Sequence, residues 1–561
     1  MHTGTSSGTS GVRVVAILSA LGALSATSCL LLTDRNKDQC SISADCAAKG
    51  PSFANTQCIE GLCVSPPDSG IAAAECTTTA DCLSNPNSPN TYCSTDKQCL
   101  PIKNQDCTDI VTVDGKAITP DAIVLGVLAP LTGDNASDGT ARVRAVTLAF
   151  QEFSGRAVGI PTGPGTGPRP IALVICDQVV DAIRAATHLA THVAVPAIIG
   201  PGFSGTTVQV AMKVAIPDGV LLMSPSATTP DLTTLQDNGL VWRTSSSFAP
   251  ESKAYANLLT QMESNADMRT ALGMAISAPL KVAVLAKGDS YGKGLADLLS
   301  TTLRYNGTDV AGNGAAYFMR FDLPDLSANP SADTSAVLNG IASFLPNIIL
   351  VLGTAEVITK GVAPIEEQWP TGAGAPERPY YVISEGAKLI QLVTTVGQSD
   401  TSHPDRKLKD RVRVFGPRYN DALYSYLQDR FRAAYNEAMP DIYGVTGSYD
   451  AFYLIAYAML ASQSQVPLTG ISVAAGLART APPGAVISAG PTDISKAVAE
   501  LTAGRNFDYD GVTGPLNFDI ATGESLGDYN LYCVRGDGYH TTNQYYVSAS
   551  SQLVGSFGTC P

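Results

Sequence analysis

From about Asp121 onward the chain alternates short, continuous apolar runs with stretches of helical spacing, and this alternation narrows its folds more than any other feature. AIVLGVLAP, IALVICD, PAIIG and GVLLMSP form a first series; KVAVLAK, AAYFMRF, NIILVLG, YYVIS and VRVFG form a second. A run that is apolar at every position reads as a strand buried on both faces, which an open sheet achieves only when helices cover both sides. After the first run, Asp138 is placed to cap a helix whose Val143, Val146, Phe150 and Phe153 keep helical spacing up to Gly155. Two series therefore predict an α/β chain of two doubly wound parallel-sheet lobes.

The segment before Asp121 is of another kind. VRVVAILSALGALSATSC joins an apolar run, Val14 to Leu24, to small residues ending at Cys29. This is a secretory signal pattern over residues 1–28, and the Cys after Ala26-Thr27-Ser28 resembles a bacterial lipobox whose Cys29 takes the lipid. The alternative is an uncleaved anchor from Val14 to Leu32. Either way the chain is exported and tethered at the cell envelope, in the periplasm or at the surface.

Residues 29–108 form a Cys-rich repeat region. CSISADCAAKGPSFANTQCIEGLC and CTTTADCLSNPNSPNTYCSTDKQC share a Cys-x5-Cys start followed by two more Cys. Each has too few large apolar residues to bury a core, so disulfides among Cys40, Cys46, Cys58 and Cys63, and among Cys76, Cys82, Cys93 and Cys99, are expected to supply the stability. Four Cys allow three connectivities, and spacing does not choose. Zinc is disfavoured by these spacings and no metal or cofactor is expected; Asp34, Asn36 and Asp38 lack the Gly and distal Glu of a calcium loop. VSPPDSGIAAAE is a linker, and the region reads as a spacer or a protein-contact element. A net charge of −14 without a run of Lys or Arg excludes nucleic acid as a partner.

In open α/β sheets ligands bind outside the carboxyl ends of strands. PGFSGTT follows PAIIG, and SPSATT follows GVLLM. Their backbone N–H groups and short hydroxyls suit a small anion, a carboxylate above all, although Ser/Thr/Pro clusters also build ordinary turns. In the second series Glu385 follows YYVIS and can meet an ammonium group, or simply favour a helix start. Tyr291 follows KVAVLAK and can cover a ligand, or pack at a rim. A Ser204 hydrolase is the enzyme reading, but Gly202-Phe203-Ser204-Gly205-Thr206 departs from the nucleophile elbow. His188 and His192 share a helix face without the Glu of a zinc helix, and read as solvated.

AIVLGVLAPLTGDNASDGTARVRAVTLAFQEF, AIIGPGFSGTTVQVA, LLMSPSATTPDLT, VWRTSSS, VAVLAKGDSYGKGLAD, GSYDAFYLIAYAM and FDYDGVTGPLNFD together resemble, in order, the type I periplasmic binding proteins. The likeness is to their leucine/isoleucine/valine-binding branch, which feeds ABC transporters, and covers about residues 121–540. The resemblance implies no enzyme but a hinged trap for an amino acid or related small carboxylate, with an ABC permease as partner. A ligand-sensing or adhesion lipoprotein is the alternative. It further implies that Ser204, Ser226, Ala227 and Thr228 hold the ligand's carboxylate and ammonium, that Glu385 binds the ammonium, and that Tyr291 faces them. Where relatives can place a Tyr this chain reads GTAEV, and Phe203 stands where some carry a Cys. The domain expected over residues 109–561 has a first lobe at about 119–245 and 417–480 and a second at about 246–416 and 485–561. The three crossings fall near 244–248, 416–420 and 480–486. Of the remaining Cys, Cys107 with Cys176 and Cys533 with Cys560 is the expected one of three arrangements.

Overall fold

The apolar runs assemble into two twisted sheets, each buried on both faces. The computed structural model describes residues 40, 43–50, 56–59, 62–64, 76–157, 159–161, 167–326, 329, 331–463 and 467–560. The signal segment, Cys29, Asp34, Asn36, Asp38 and the linker after Val64 lie outside these residues. Among the described residues no helix is long and apolar enough to cross a membrane.

The first sheet contains β1 (Cys107–Val111), β2 (Ile123–Ala129), β3 (Ile171–Asp177), β4 (Ala197–Ile199), β5 (Leu221–Ser224) and β6 (Val241–Arg243), in the order β6-β5-β4-β2-β3-β1. All neighbours are parallel except β1, which runs antiparallel to β3 and is joined to it by Cys107–Cys176. The second contains β7 (Val282–Ala286), β8 (Phe318–Asp322), β9 (Ile348–Leu352), β10 (Tyr380–Ile383) and β11 (Val412–Pro417). Its order starts β8-β7-β9-β10-β11, all parallel. Antiparallel strands at 529–535, 538–547 and 552–554 complete that sheet, and Cys533–Cys560 ties its first added strand to the C-terminal segment.

Helix Ala136–Arg156 and the wholly buried helix Val445–Ala461 cover one face of the first sheet. Phe150 and Phe153 meet Phe452 edge-on there. The first of these helices begins two residues earlier than Asp138, with Asn135 at its cap, so Asp138 sits inside the first turn and is buried rather than capping. The chain passes between lobes after β6 and after β11, close to the expected crossings.

The third crossing differs. Ile487, Phe507, Tyr509, Val512 and Phe518 belong to the first lobe's core, and Tyr529 and Leu531 to the second's. The chain therefore crosses at 519–528, not 480–486. The physical reason is the short parallel pair 485–488 and 507–510, whose apolar side packs against helix Val445–Ala461. Asp450 of that helix accepts hydrogen bonds from Tyr509, Val512 and Thr513.

Both Cys-rich repeats fold as a short helix followed by a hairpin, with first Cys bonded to third and second to fourth. In the first, helix Ser43–Ala48 precedes strands Gln57–Ile59 and Leu62–Val64, stapled by Cys40–Cys58 and Cys46–Cys63. In the second, helix Thr79–Leu83 precedes Thr91–Cys93 and Cys99–Pro101, stapled by Cys76–Cys93 and Cys82–Cys99. The first repeat forms a unit of its own, whereas the second is part of the same unit as the two lobes. Tyr92 and Ile102 enter the first lobe's outer core. The two histidines are not solvated as expected: Tyr92 stacks on His192, and buried His188 bonds the Ile102 carbonyl at 2.8 Å. The sheet itself starts at Cys107, inside the segment expected to be repeat region.

Candidate functional site

Strand order reverses between β2 and β4 in the first sheet and between β7 and β9 in the second, and the loops at those carboxyl ends face each other. Between them lies a narrow cleft. Its first-lobe wall carries Asn135, Arg142, Gly202, Phe203, Ser204, Ser226 and Tyr443, and its second-lobe wall Lys287, Asp289, Tyr291, Thr354, Gly386 and Leu389.

The hydroxyls after β4 and β5 lock two loops together. Ser204 Oγ accepts the backbone N–H groups of Thr228 (3.2 Å) and Thr229 (3.3 Å). Ser224 donates to the Pro201 carbonyl at 2.6 Å and Ser226 to the Gly202 carbonyl at 2.8 Å. Gly200 makes this closeness possible: its φ is +107°, and a Cβ there would stand 2.0 Å from the Leu128 carbonyl oxygen. Ser226 Oγ also accepts from Arg142 Nη1 at 3.0 Å, while Arg142 Nη2 donates to the Tyr443 carbonyl at 3.1 Å. Arg142 Nε has no partner in the protein. One turn earlier on the same helix, Asp138 is buried with neither carboxylate oxygen bonded. Burial pushes it up to about 6, against the pull of Arg142.

The second wall is built around Lys287, which follows β7 and is 2% exposed. Its ammonium meets Glu356 at 3.0 Å, Asp289 at 3.2 Å and Thr354 at 3.0 Å, and lies 5.2 Å from the Phe203 ring centre on the other lobe. Burial works against its charge, but Asp289 and Glu356 together raise its pKa. The GTAEV turn thus supplies Thr354 and Glu356 to clamp the lysine. Tyr291 accepts the Gly386 N–H at 3.2 Å, and only Gly fits beside that ring.

The residues singled out from sequence divide into two groups. Ser204, Ser226 and Tyr291 line the cleft, as does Gly386 beside Glu385. Ala227, Thr228 and Glu385 are fully buried behind it. There Thr228 donates its hydroxyl to Glu385 Oε1 at 3.2 Å, joining the lobes directly. Sequence reasoning missed Arg142, Lys287, Tyr443 and Glu251. A cation just after a buried strand was a usable signal for Lys287, and an arginine on the apolar stripe of a helix for Arg142. Ser204 Oγ is held as an acceptor by two amides, so it offers no activated nucleophile for a hydrolase.

Residues 122–359 match a family described as Periplasmic binding protein. No curated protein matches in sequence. Among solved structures, the leucine binding protein LivK of Thermotoga maritima is similar at 17% identity, covering 75% of this chain and 98% of that one, with a TM-score of 0.54. LivJ of Streptococcus pneumoniae, a branched-chain amino acid transporter substrate-binding protein in complex with isoleucine, is similar at 18% identity, 75% and 100% coverage and a TM-score of 0.51. A solute-binding protein of an ABC transporter from R. palustris, in complex with benzoate, is similar at 16% identity, 75% and 95% coverage and a TM-score of 0.50. Residues 122–359 thus match the periplasmic binding protein family in sequence, and over three quarters of its length the chain has the type I periplasmic binding protein fold.

Proposed function

We propose that this protein is an extracytoplasmic solute-binding lipoprotein that captures a small amino-acid-like carboxylate between its lobes and delivers it to an ABC permease. The observation that carries this reading is the composition of the two facing walls. Arg142, Ser226 and the amide-rich loop at Gly202 offer donors for a carboxylate on one side. Tyr291 and the acid-bearing loop at Glu385 face them from the other. Leucine, isoleucine and benzoate, named for the three similar proteins, share a carboxylate. Closure around such a ligand removes water and strengthens these bonds, and micromolar affinity requires only about 8 kcal/mol net.

Export by residues 1–28 and lipidation at Cys29 would hold the protein at the envelope beside its permease. The test has two arms. Thermal-shift and calorimetric titration of the protein with amino acids and small carboxylates should find a stabilising ligand that Arg142→Met no longer binds. Radiolabelled palmitate should enter the wild type and not Cys29→Ser in an expressing bacterium. Silence across the ligand panel at millimolar concentration rejects the capture reading.

A further inference from the structure

Glu251, on helix Phe248–Glu263, lies against Glu385, and both residues are 0% exposed. Glu251 Oε1 accepts the Glu385 backbone N–H at 3.4 Å, and Glu385 Oε1 accepts from Thr228. The two carboxyl groups bond each other, and no donor outside the pair reaches the second oxygen of either. The Tyr255 hydroxyl, one turn along the same helix and equally buried, also has no partner. The other groups facing the pair are the hydroxyls of Tyr291, Tyr443 and Tyr529, which sense both charges. The neighbouring cations are engaged elsewhere: Arg142 with Ser226 and Tyr443, Arg243 with Glu524 and Thr229, Lys287 with Asp289 and Glu356.

Two touching carboxyl groups in a site without a cation cannot both ionise. Burial, reinforced by the charge of Glu385, holds the Glu251 carboxyl well above the usual carboxylate range. The pair thus keeps one proton where counter-charge is missing. An ammonium group supplies that charge, with three N–H donors for those carboxyl oxygens and the tyrosine hydroxyls around them.

We infer that Glu251 is a second ligand-binding acid, and that with Glu385 it recognises a ligand ammonium by giving up the proton the two share. The exchange balances without any change at carbon: the ammonium enters with its charge, both carboxylates become ionised, and one proton leaves to solvent. The class selected is then the amino acid over the des-amino carboxylate. This rests on the solute-capture reading above and makes it narrower.

Calorimetry of the full chain tests it, with L-leucine and the other protein amino acids, each against its des-amino acid (4-methylpentanoate for leucine). Runs in two buffers of different ionisation enthalpy count the protons. An amino acid should bind with release of close to one proton, its affinity rising with pH by up to about tenfold per pH unit for as long as the free pair holds its proton, and the des-amino acid should bind more weakly. In Glu251→Gln, which keeps the shape, the proton release should vanish and the affinity become flat with pH. Amino-acid binding with no proton released, unchanged proton release in Glu251→Gln, or equal affinity for the des-amino acid overturns this inference while leaving capture intact. So does stabilisation by calcium or magnesium alone that Glu251→Gln abolishes, since the pair would then be a metal site. If no amino acid and no carboxylate binds, capture itself fails and this inference falls with it.

Discussion

Thr228 of the first lobe donates its hydroxyl to Glu385 of the second across 3.2 Å, with both residues fully buried. One hydrogen bond therefore joins the two lobes behind the cleft. Thr228→Val keeps the volume and removes the donor, leaving Glu385 Oε1 buried without a hydroxyl. A loss of about 1–3 kcal/mol from the lobe-to-lobe contact is expected. Small-angle scattering of the ligand-free protein should show a larger radius of gyration than wild type. Identical scattering curves would mean that this bond does not hold the lobes together.

Asp138 gives a pH dependence whose sign follows from its burial. Its carboxyl is pushed up to about 6 in the folded protein from an ordinary 3.8. A folded-state pKa raised in this way contributes stability that is complete below about 3.8 and lost as pH climbs to 6. The difference of about 2 pH units corresponds to about 3 kcal/mol. Asp138→Asn holds the neutral shape at every pH, so its stability relative to wild type should rise by that order between about pH 3.5 and pH 7. Urea unfolding of both proteins at several pH values measures it, and parallel curves would refute the assignment.

Much of the fold was legible because its strands are apolar at every position, and β2, β3, β7 and β9 lie inside the runs that announced them. Strand runs do not say which sheet they join, however. Phe507 and Tyr509 fall in the segment expected to belong to the second lobe, and their contact with Tyr457 assigns them to the first. His188 and His192 looked solvated because their partner, Tyr92, lies in the preceding Cys-rich repeat, beyond the reach of any local pattern. At the site, the hydroxyl loops were visible as motifs. Arg142, Lys287 and Glu251 were not, because each is a single charged residue in an ordinary element whose role comes from what tertiary packing sets opposite it.

Lys388 bears on the closed arrangement from a second point. It is 0% exposed, its ammonium pairs with Asp441 from the first lobe, and the ring centres of Tyr532 and Tyr539 lie 4.6 Å away, with Tyr419 at 5.6 Å. Burial lowers its pKa and Asp441 opposes that shift. Removing one partner of a buried pair costs about 3–5 kcal/mol. Lys388→Met should fall at the lower end, because the Asp441 side chain is 28% exposed and can rehydrate. Lys388→Met with Asp441→Asn should recover at least half of the loss, since no charge is then left unpaired. A double-mutant cycle by chemical denaturation gives the coupling, and a coupling near zero would show that the tyrosines alone hold the lysine.

Gly202 separates the cleft's chemistry from its stability. A Cβ at this position would stand 2.1 Å from Arg142 Nη1 and 3.1 Å from Ser226 Oγ. The atom in the way is the far end of a flexible side chain, so the backbone need not move and the guanidinium swings aside instead. Gly202→Ala should leave the melting temperature within a few degrees of wild type, because neither sheet nor core is touched. It should weaken carboxylate binding by at least about tenfold, equivalent to about 1.4 kcal/mol, since the charged donor no longer faces the cleft. Arg142→Lys should fare little better, as an ammonium cannot reach Ser226 and the Tyr443 carbonyl together with a ligand oxygen. Titration of both variants with the ligand found for wild type decides the matter, and wild-type affinity in Gly202→Ala would remove Arg142 from the binding wall.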